Sequence, residues 1–239
     1  MIDLKSLISL PVYNAIIPST GKTVHFSPFV VKEEKLLLIA QESKDPEQIF
    51  NAIKSIFSAC FKGDLTFDSL TYFDIEYLFI QLRMKSMGEE VEIVVKDPES
   101  NERYETTMKL ENIKIINQKK NKEDFNIKLN DELGITVRYP NLKNMTLIKL
   151  NEIKSATESA FKLISTSIQS IYTKNEVVST KDKSLEEVEA FLNNLPKNMF
   201  EKIAEFFSDL PAVVYEDEFT TPTGKKIPIY VRDFNNFFR

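Results

Sequence analysis

The spacing of apolar residues changes at Gly88, and this change limits the chain to folds that combine helices with strands. Before Gly88, apolar side chains recur about every 3.6 residues, which is typical of amphipathic helices. After it, residues 91–96 and 103–110 alternate with a period near 2, which is typical of strands. The sequence therefore predicts an α+β fold in which an N-terminal helical cluster packs with a mostly antiparallel sheet.

The segment before Gly88 is predicted to contain three helices, over about residues 31–43, 46–60 and 72–87. The second helix has the clearest start, because Asp45 can cap it and Pro46 occupies a first position that needs no amide hydrogen. Gln48 follows at the capping-box position. The third helix is apolar on most of its circumference and is predicted to be central. The second helix should bury one apolar stripe, formed by Ile49, Ile53, Ile56 and Cys60.

The strand-like region is predicted to begin with a hairpin. Residues 97–101 (DPESN) are turn formers between two alternating runs. Three further strand-like runs follow, at residues 112–117, 125–129 and 134–139. We therefore expect a mostly antiparallel sheet across residues 90–140, with the polar run 119–124 as a solvated loop.

A long amphipathic helix is predicted over about residues 147–173, because isoleucine and alanine recur there at intervals of three and four. Its polar face is rich in serine and threonine, so it needs tertiary packing to persist. The polar stretch 174–183 lacks any apolar period and is predicted to be a linker.

The C-terminal region, residues 184–239, is predicted to be smaller and to combine two helices with a hairpin. Ser184 and Glu187 form a capping box for the first helix, and Pro196 separates it from the second. The strands of the hairpin are predicted at residues 212–219 and 227–231. The chain would then consist of an N-terminal helical and sheet domain, a long helix with its linker, and a C-terminal region, over residues 1–145, 146–183 and 184–239.

The tripeptide Thr-Gly-Lys occurs twice, at residues 20–22 and 223–225, each time between strand-like runs. Two hairpin turns that place glycine in the left-handed conformation account for both copies. A duplicated unit is the weaker alternative. We therefore predict tight turns at Gly21 and Gly224.

Composition excludes several classes of protein. Lys plus Arg total 31 and Asp plus Glu total 36, and the resulting net charge of −5 disfavours nonspecific binding to nucleic acid or to an anionic membrane. Cys60 is the single cysteine, so the chain can form neither an internal disulfide nor a zinc site of several cysteines. No apolar run approaches the roughly 18 residues of a membrane span. We expect a soluble protein made in a reducing compartment, with no nucleic-acid or membrane partner.

No catalytic, cofactor-binding or metal-binding residue is predicted, and we expect the chain not to be an enzyme. His25, the single histidine, lies in a strand-like run, where an exposed imidazole is more common than a general base. Cys60 lies on an apolar helical stripe, which favours a buried thiol over a nucleophile. The acidic residues are adjacent in sequence rather than convergent, so no pair is singled out for a hydrolase.

Aromatic residues are concentrated at the C-terminus. Phe234, Phe237, Phe238 and Arg239 stand within the last six positions. Terminal residues usually fray unless something holds them. The segment is therefore our candidate partner-binding site, with docking on its own domain and docking on a neighbouring protein both open.

Several segments resemble the T4-type bacteriophage baseplate hub protein family. In the N-terminal half they are residues 26–40 (FSPFVVKEEKLLLIA), 45–49 (DPEQI), 73–79 (FDIEYLF) and 82–89 (LRMKSMGE). Near the C-terminus they are residues 206–211 (FFSDLP) and 233–238 (DFNNFF). Residues 140–183 carry no part of the resemblance.

The resemblance implies a tail protein of a contractile phage that acts in the baseplate hub through contacts with other baseplate hub or tail proteins, or with copies of itself. A permanent hub subunit and a transient assembly chaperone that is absent from the mature virion are both open, and a cell-wall hydrolase is a weaker alternative. The implied location is the host cytoplasm during assembly and, for a permanent subunit, the tail baseplate. No cofactor is implied, because residues 96–103 lack the cysteine pairs that some members carry in this hairpin.

Overall fold

The computed structural model describes residues 9–63, 65–119, 121–143 and 155–232. Within them the chain forms two compact units. Unit 1 comprises the described residues of 1–67, 73–116 and 213–239, and unit 2 those of 68–72 and 117–212. Helices and antiparallel sheets occur together, so the predicted α+β class is confirmed.

The helices of the described residues are α1 (Val31–Ser43), α2 (Pro46–Cys60), α3 (Tyr72–Met87), α4 (Ala156–Ser167), α5 (Leu185–Asn193) and α6 (Lys197–Ser208). The strands are β1 (Tyr13–Ile16), β2 (Thr23–Phe26), β3 (Phe61–Lys62), β4 (Glu90–Lys96), β5 (Arg103–Lys109), β6 (Lys114–Ile116), β7 (Asn126–Lys128), β8 (Leu133–Val137), β9 (Ile168–Thr173), β10 (Val177–Ser179), β11 (Ala212–Thr220) and β12 (Lys226–Val231).

The three predicted N-terminal helices are confirmed. The side chain of Asp45 caps α2, accepting a hydrogen bond from the Glu47 amide at 3.0 Å and one from Gln48 Nε2 at 3.1 Å. Ile56 and Cys60 are buried on the stripe of α2, as predicted. Helix α3 is buried on several sides, most completely at Leu78, Ile80 and Leu82. It therefore supplies much of the core of unit 1.

The hairpin predicted around residues 97–101 is confirmed, since β4 and β5 pair antiparallel from Glu90↔Lys109 to Lys96↔Arg103. The prediction of a single sheet across residues 90–140 was wrong. In the structure β4 and β5 form a sheet of their own, β6 joins β11 and β12, and β7 and β8 join β9 and β10. Alternating apolar residues identify a strand but not its neighbour, and here the neighbours come from distant parts of the sequence.

The long helix predicted over residues 147–173 was wrong in its C-terminal part. Helix α4 ends at Ser167, and β9 follows and pairs with β8. The hydroxyls of Ser165 and Ser167 donate to helix carbonyls one turn back, which weakens a helix end, and β9 is rich in β-branched residues. Residues 144–154 lie outside the described residues, so the first part of that prediction has no counterpart here.

The prediction of a linker over residues 174–183 was also wrong. Strand β10 lies within it and pairs antiparallel with β9, Val177 opposite Tyr172. The Thr173 amide donates to the carbonyl of Glu176 at 2.8 Å, which closes the hairpin. Two adjacent valines suffice for an edge strand when a neighbouring strand is present.

The C-terminal elements agree with the sequence. Ser184 and Glu187 form the predicted capping box at the start of α5. Strands β11 and β12 pair as a hairpin, and both predicted glycine turns are confirmed by positive φ angles of 69° at Gly21 and 83° at Gly224. The domain ranges 1–145, 146–183 and 184–239 stay a prediction.

Candidate protein-interaction surface

Helix α1 exposes large apolar side chains. Val31, Leu38 and Ile39 are 77%, 52% and 53% exposed. They are spaced by seven and eight residues, which places them on one face of the helix. We call these three residues the α1 ridge. An exposed apolar face of this kind is a candidate for contact with another protein.

The opposite side of α1 packs into the core of unit 1. Leu37 and Ala40 are buried, and α1 contacts α2. The helix is therefore apolar on both sides, a pattern that belongs to helices buried between two partners. Only one of those partners is present within the described residues.

The local sequence fixes where α1 begins and ends. The Val30 amide donates to the side chain of Glu33 at 3.3 Å, and the Glu33 amide donates to the carbonyl of Val30 at 2.9 Å. Lys44 adopts a left-handed conformation with φ of 54° and ends the helix. The first residue of the ridge thus stands at the start of a capped helix, which holds it in place.

Aromatic packing supports α2, against which α1 lies. The ring of Phe57 is 4.7 Å from that of Phe61 and 5.1 Å from that of Phe67, measured between centroids. Aromatic rings at these separations stabilise a fold by more than the burial of their apolar area alone provides. Helix α2, on which α1 packs, is therefore held in place by aromatic contacts on its own buried side.

A second feature of unit 1 is an open cleft of about 700 Å³ between the β4–β5 hairpin and β12. We call it the hairpin cleft. Val94 and Tyr230, 60% and 55% exposed, are among its lining residues, together with the half-buried Ile93, Ile229 and Val231. Charged and hydroxyl side chains, among them Glu92, Lys96 and Glu105, line the rest of this cleft.

Lys225, which directly precedes β12, contacts the turn of the β4–β5 hairpin. Its Nζ lies 2.8 Å from Asp97 Oδ1 and 2.7 Å from Glu99 Oε2. The hydrogen bond from Lys225 and the bonds from the amides of Glu99 and Ser100 hold the pKa of the Asp97 carboxyl below its usual range. Its hydrogen bonds to Asp97 and Glu99 raise the pKa of Lys225.

The residues predicted as a partner-binding site, Phe234, Phe237, Phe238 and Arg239, lie outside the described residues. Strand β12, whose last four residues line the hairpin cleft, ends two residues before Asp233. The α1 ridge was not among the predicted site residues. The signal for it is the run Leu36–Ala40, in which five adjacent apolar residues cover every side of a helix, so that one face must remain exposed or meet a partner.

The two residues considered for catalysis have structural surroundings. Nδ1 of His25 lies 2.6 Å from Asn14 Oδ1 on the neighbouring strand. Cys60 is buried, and burial raises the pKa of its thiol to about 12. The parts of the chain that the structure describes contain no group of His, Cys, Asp and Glu side chains that could hold a metal ion, and none of their helices could span a membrane.

Comparison with known protein families gives a match. The family model described as T4 bacteriophage base plate protein matches residues 10–239. No curated protein and no solved structure matches the chain. The match spans both structural units and includes the segments on which the sequence resemblance rests.

Proposed function

The chain belongs to the T4 bacteriophage base plate protein family, and on this premise we propose that it is a non-catalytic protein of the baseplate hub. It takes part in assembly of the baseplate and tail by binding other baseplate or tail proteins. The family match supports the phage baseplate role. The hub position is supported by the resemblance of residues 26–40 and 73–89 to baseplate hub proteins.

The α1 ridge is the observation that carries the proposed mode of action. Val31, Leu38 and Ile39 stand on a helix whose other side is already packed, so the ridge is available to a second protein. Complete burial of a fully exposed side chain of this size contributes roughly 1.5 to 3 kcal/mol, and Leu38 and Ile39, which are about half exposed, gain about half of that when a partner covers them. A baseplate protein that docks on α1 would complete the packing that this helix lacks.

The proposal of a non-catalytic role is supported by the chemistry of the two candidate nucleophile and base residues. The raised pKa of Cys60 keeps its thiol protonated at neutral pH, and a thiol in this state is a poor nucleophile. The His25 ring is engaged with Asn14 on the surface of a strand. Neither side chain has the surroundings of a catalytic group.

We propose that the protein acts in the host cytoplasm during assembly and then remains in the tail baseplate of the virion. Quantitative mass spectrometry of purified virions tests this. A fixed stoichiometric ratio to other baseplate proteins is expected. Absence from virions together with abundance in infected lysates would instead indicate a transient assembly chaperone. The assembly role would then stand, and the permanent position in the baseplate would be wrong.

A further inference from the structure

Unit 2 contains an open cleft of about 620 Å³ bounded by the end of β10, the start of α5 and the chain around the end of β8. We call it the basic cleft. Its lining residues include Arg138, Lys143, Lys181 and Lys183, and no carboxylate is among them. This contrasts with the chain as a whole, which has a net charge of −5.

Two of these cations have no ion-pair partner among the residues that the structure describes. Within the described residues neither Lys143 nor Lys181 forms an ion pair, whereas Nζ of Lys183 lies 3.1 Å from Oε1 of Glu187. Asp182 stands between two of the lysines in sequence but does not line the cleft. The cleft therefore keeps a positive charge that a ligand can neutralise.

Hydrogen-bonding groups line the same cleft, on backbone that is firmly held. The hydroxyl of Thr180 donates to the carbonyl of Ile168 at 2.6 Å, and its amide donates to the carbonyl of Gln169 at 2.9 Å. These bonds fix the chain just before Lys181. Ser179 and Ser184 add hydroxyls that accept the amides of Lys181 and Glu187, and their protons can be donated to carboxylate oxygens.

We propose that the basic cleft binds a carboxylate-rich peptide segment of a partner protein. The inference rests on the proposed function and adds to it the chemistry of one partner. Lysine and arginine side chains together with hydroxyls match glutamate and aspartate side chains. Nucleic acid is a poorer fit, because the cleft lining has no aromatic side chain on which bases could stack.

Fluorescence anisotropy on the full chain tests this proposal. The probe is a short labelled peptide in which glutamate alternates with glycine, and the reference is the same peptide with glutamine. The glutamate peptide is expected to bind at least about 10-fold more tightly at low salt, and this preference should fall as salt is added. Equal binding of the two peptides would overturn the proposal.

The double variant Lys143→Glu with Lys181→Glu locates the binding. It should weaken binding of the glutamate peptide by about 10-fold or more. The matched control is Lys22→Glu with Lys62→Glu, which makes the same change of net charge on exposed lysines of unit 1 and should change binding by less than about 2-fold. Equal losses in both doubles would mean that net charge alone controls binding, which contradicts a site in the cleft.

Two further results separate the explanations. Tighter binding of a single-stranded oligonucleotide than of the peptide, lost in the cleft variant, would assign the cleft to nucleic acid and overturn the peptide proposal. Melting curves of each variant establish that it folds. If acidic peptides fail to bind while baseplate proteins are still captured from infected cells, the cleft assignment alone fails and the proposed function stands.

Discussion

Lys225 Nζ lies within hydrogen-bonding distance of both carboxylate oxygens of Asp97, at 2.8 Å and 2.9 Å, although the two residues are 128 positions apart. The contact ties the C-terminal hairpin to the turn of the β4–β5 hairpin. Asp97 is buried, and its Oδ1 also accepts the amide of Glu99 at 2.8 Å. The Asp97 carboxylate thus accepts hydrogen bonds both from its own turn and from Lys225, which is distant in sequence.

We predict that Lys225→Gln lowers the melting temperature by about 2 to 4 °C, because it leaves the buried Asp97 carboxylate without its cation. Lys226→Gln is the matched control. Lys226 pairs with Glu218 at 2.6 Å, but both side chains are largely exposed, so its loss should matter little. Equal effects of the two variants would contradict a special role for Lys225.

The same contact predicts a dependence of stability on pH. Since the folded state lowers the pKa of Asp97 below 3.8, its contribution is complete above that value and is lost as pH falls through the folded pKa. Because folding raises the pKa of Lys225, its contribution to stability is complete below pH 10.5 and is lost as pH rises above that value. Melting curves of Asp97→Asn should show less acid destabilisation below about pH 4 than the wild type.

Gly134 and Tyr172 face each other across β8 and β9. A methyl group at Gly134 would overlap the Tyr172 ring, so Gly134→Ala should lower the free energy of unfolding by about 1 to 3 kcal/mol. Adding Tyr172→Ala removes the clash, and the double variant should be more stable than the sum of the two single effects. Additive losses in urea unfolding would show that the ring does not cover the glycine.

Cys60 should react slowly with an aromatic disulfide reagent in the folded protein. Burial raises its pKa from 9.0 to about 12, which lowers the fraction of the thiol present as reactive thiolate at neutral pH. Burial slows access further. Labelling should become fast in denaturant, and equally fast labelling in native buffer would contradict the buried stripe of α2.

The C-terminal aromatic segment gives a prediction that separates two kinds of docking. If Phe237 and Phe238 dock on their own domain, replacing both by Ala should lower the melting temperature by several degrees. If they bind a partner, the melting temperature should stay unchanged while other baseplate proteins no longer co-purify. The control is Asn235→Ala with Asn236→Ala. No change in either measurement would contradict both kinds of docking.

Local chemistry made much of the fold predictable. The cap at Asp45, the capping box at Ser184 and the turn glycines act within a few residues, and each is found as expected. The end of α4 was not predictable in this way. The Ile164 and Ile168 spacing continues a helical period past Ser167, and only pairing with β8, a distant strand, shows that residues from 168 onward form a strand.

The candidate site was predictable only in part, for a related reason. Sequence shows that Leu36–Ala40 is apolar throughout but not which side faces solvent. That depends on how α1 packs against α2, which buries Leu37 and leaves Leu38 half exposed. The basic cleft likewise brings Lys143 near Lys181 through the folding of unit 2, and no local pattern joins them.

Affinity capture of the tagged full chain from cells infected with its phage tests the central claim most directly. We predict that mass spectrometry finds other baseplate proteins enriched with the wild type. The variant Leu38→Gln with Ile39→Gln should keep its melting temperature, because both side chains are exposed and glutamine favours helix, yet lose these partners.

The control for this measurement is Lys35→Gln with Glu42→Gln, which changes polar side chains of the same helix and should retain the partners. Enrichment with the wild type and the control but not with the ridge variant is the result that our account predicts. Capture without any enrichment of baseplate proteins, or equal enrichment with all three chains, would contradict it.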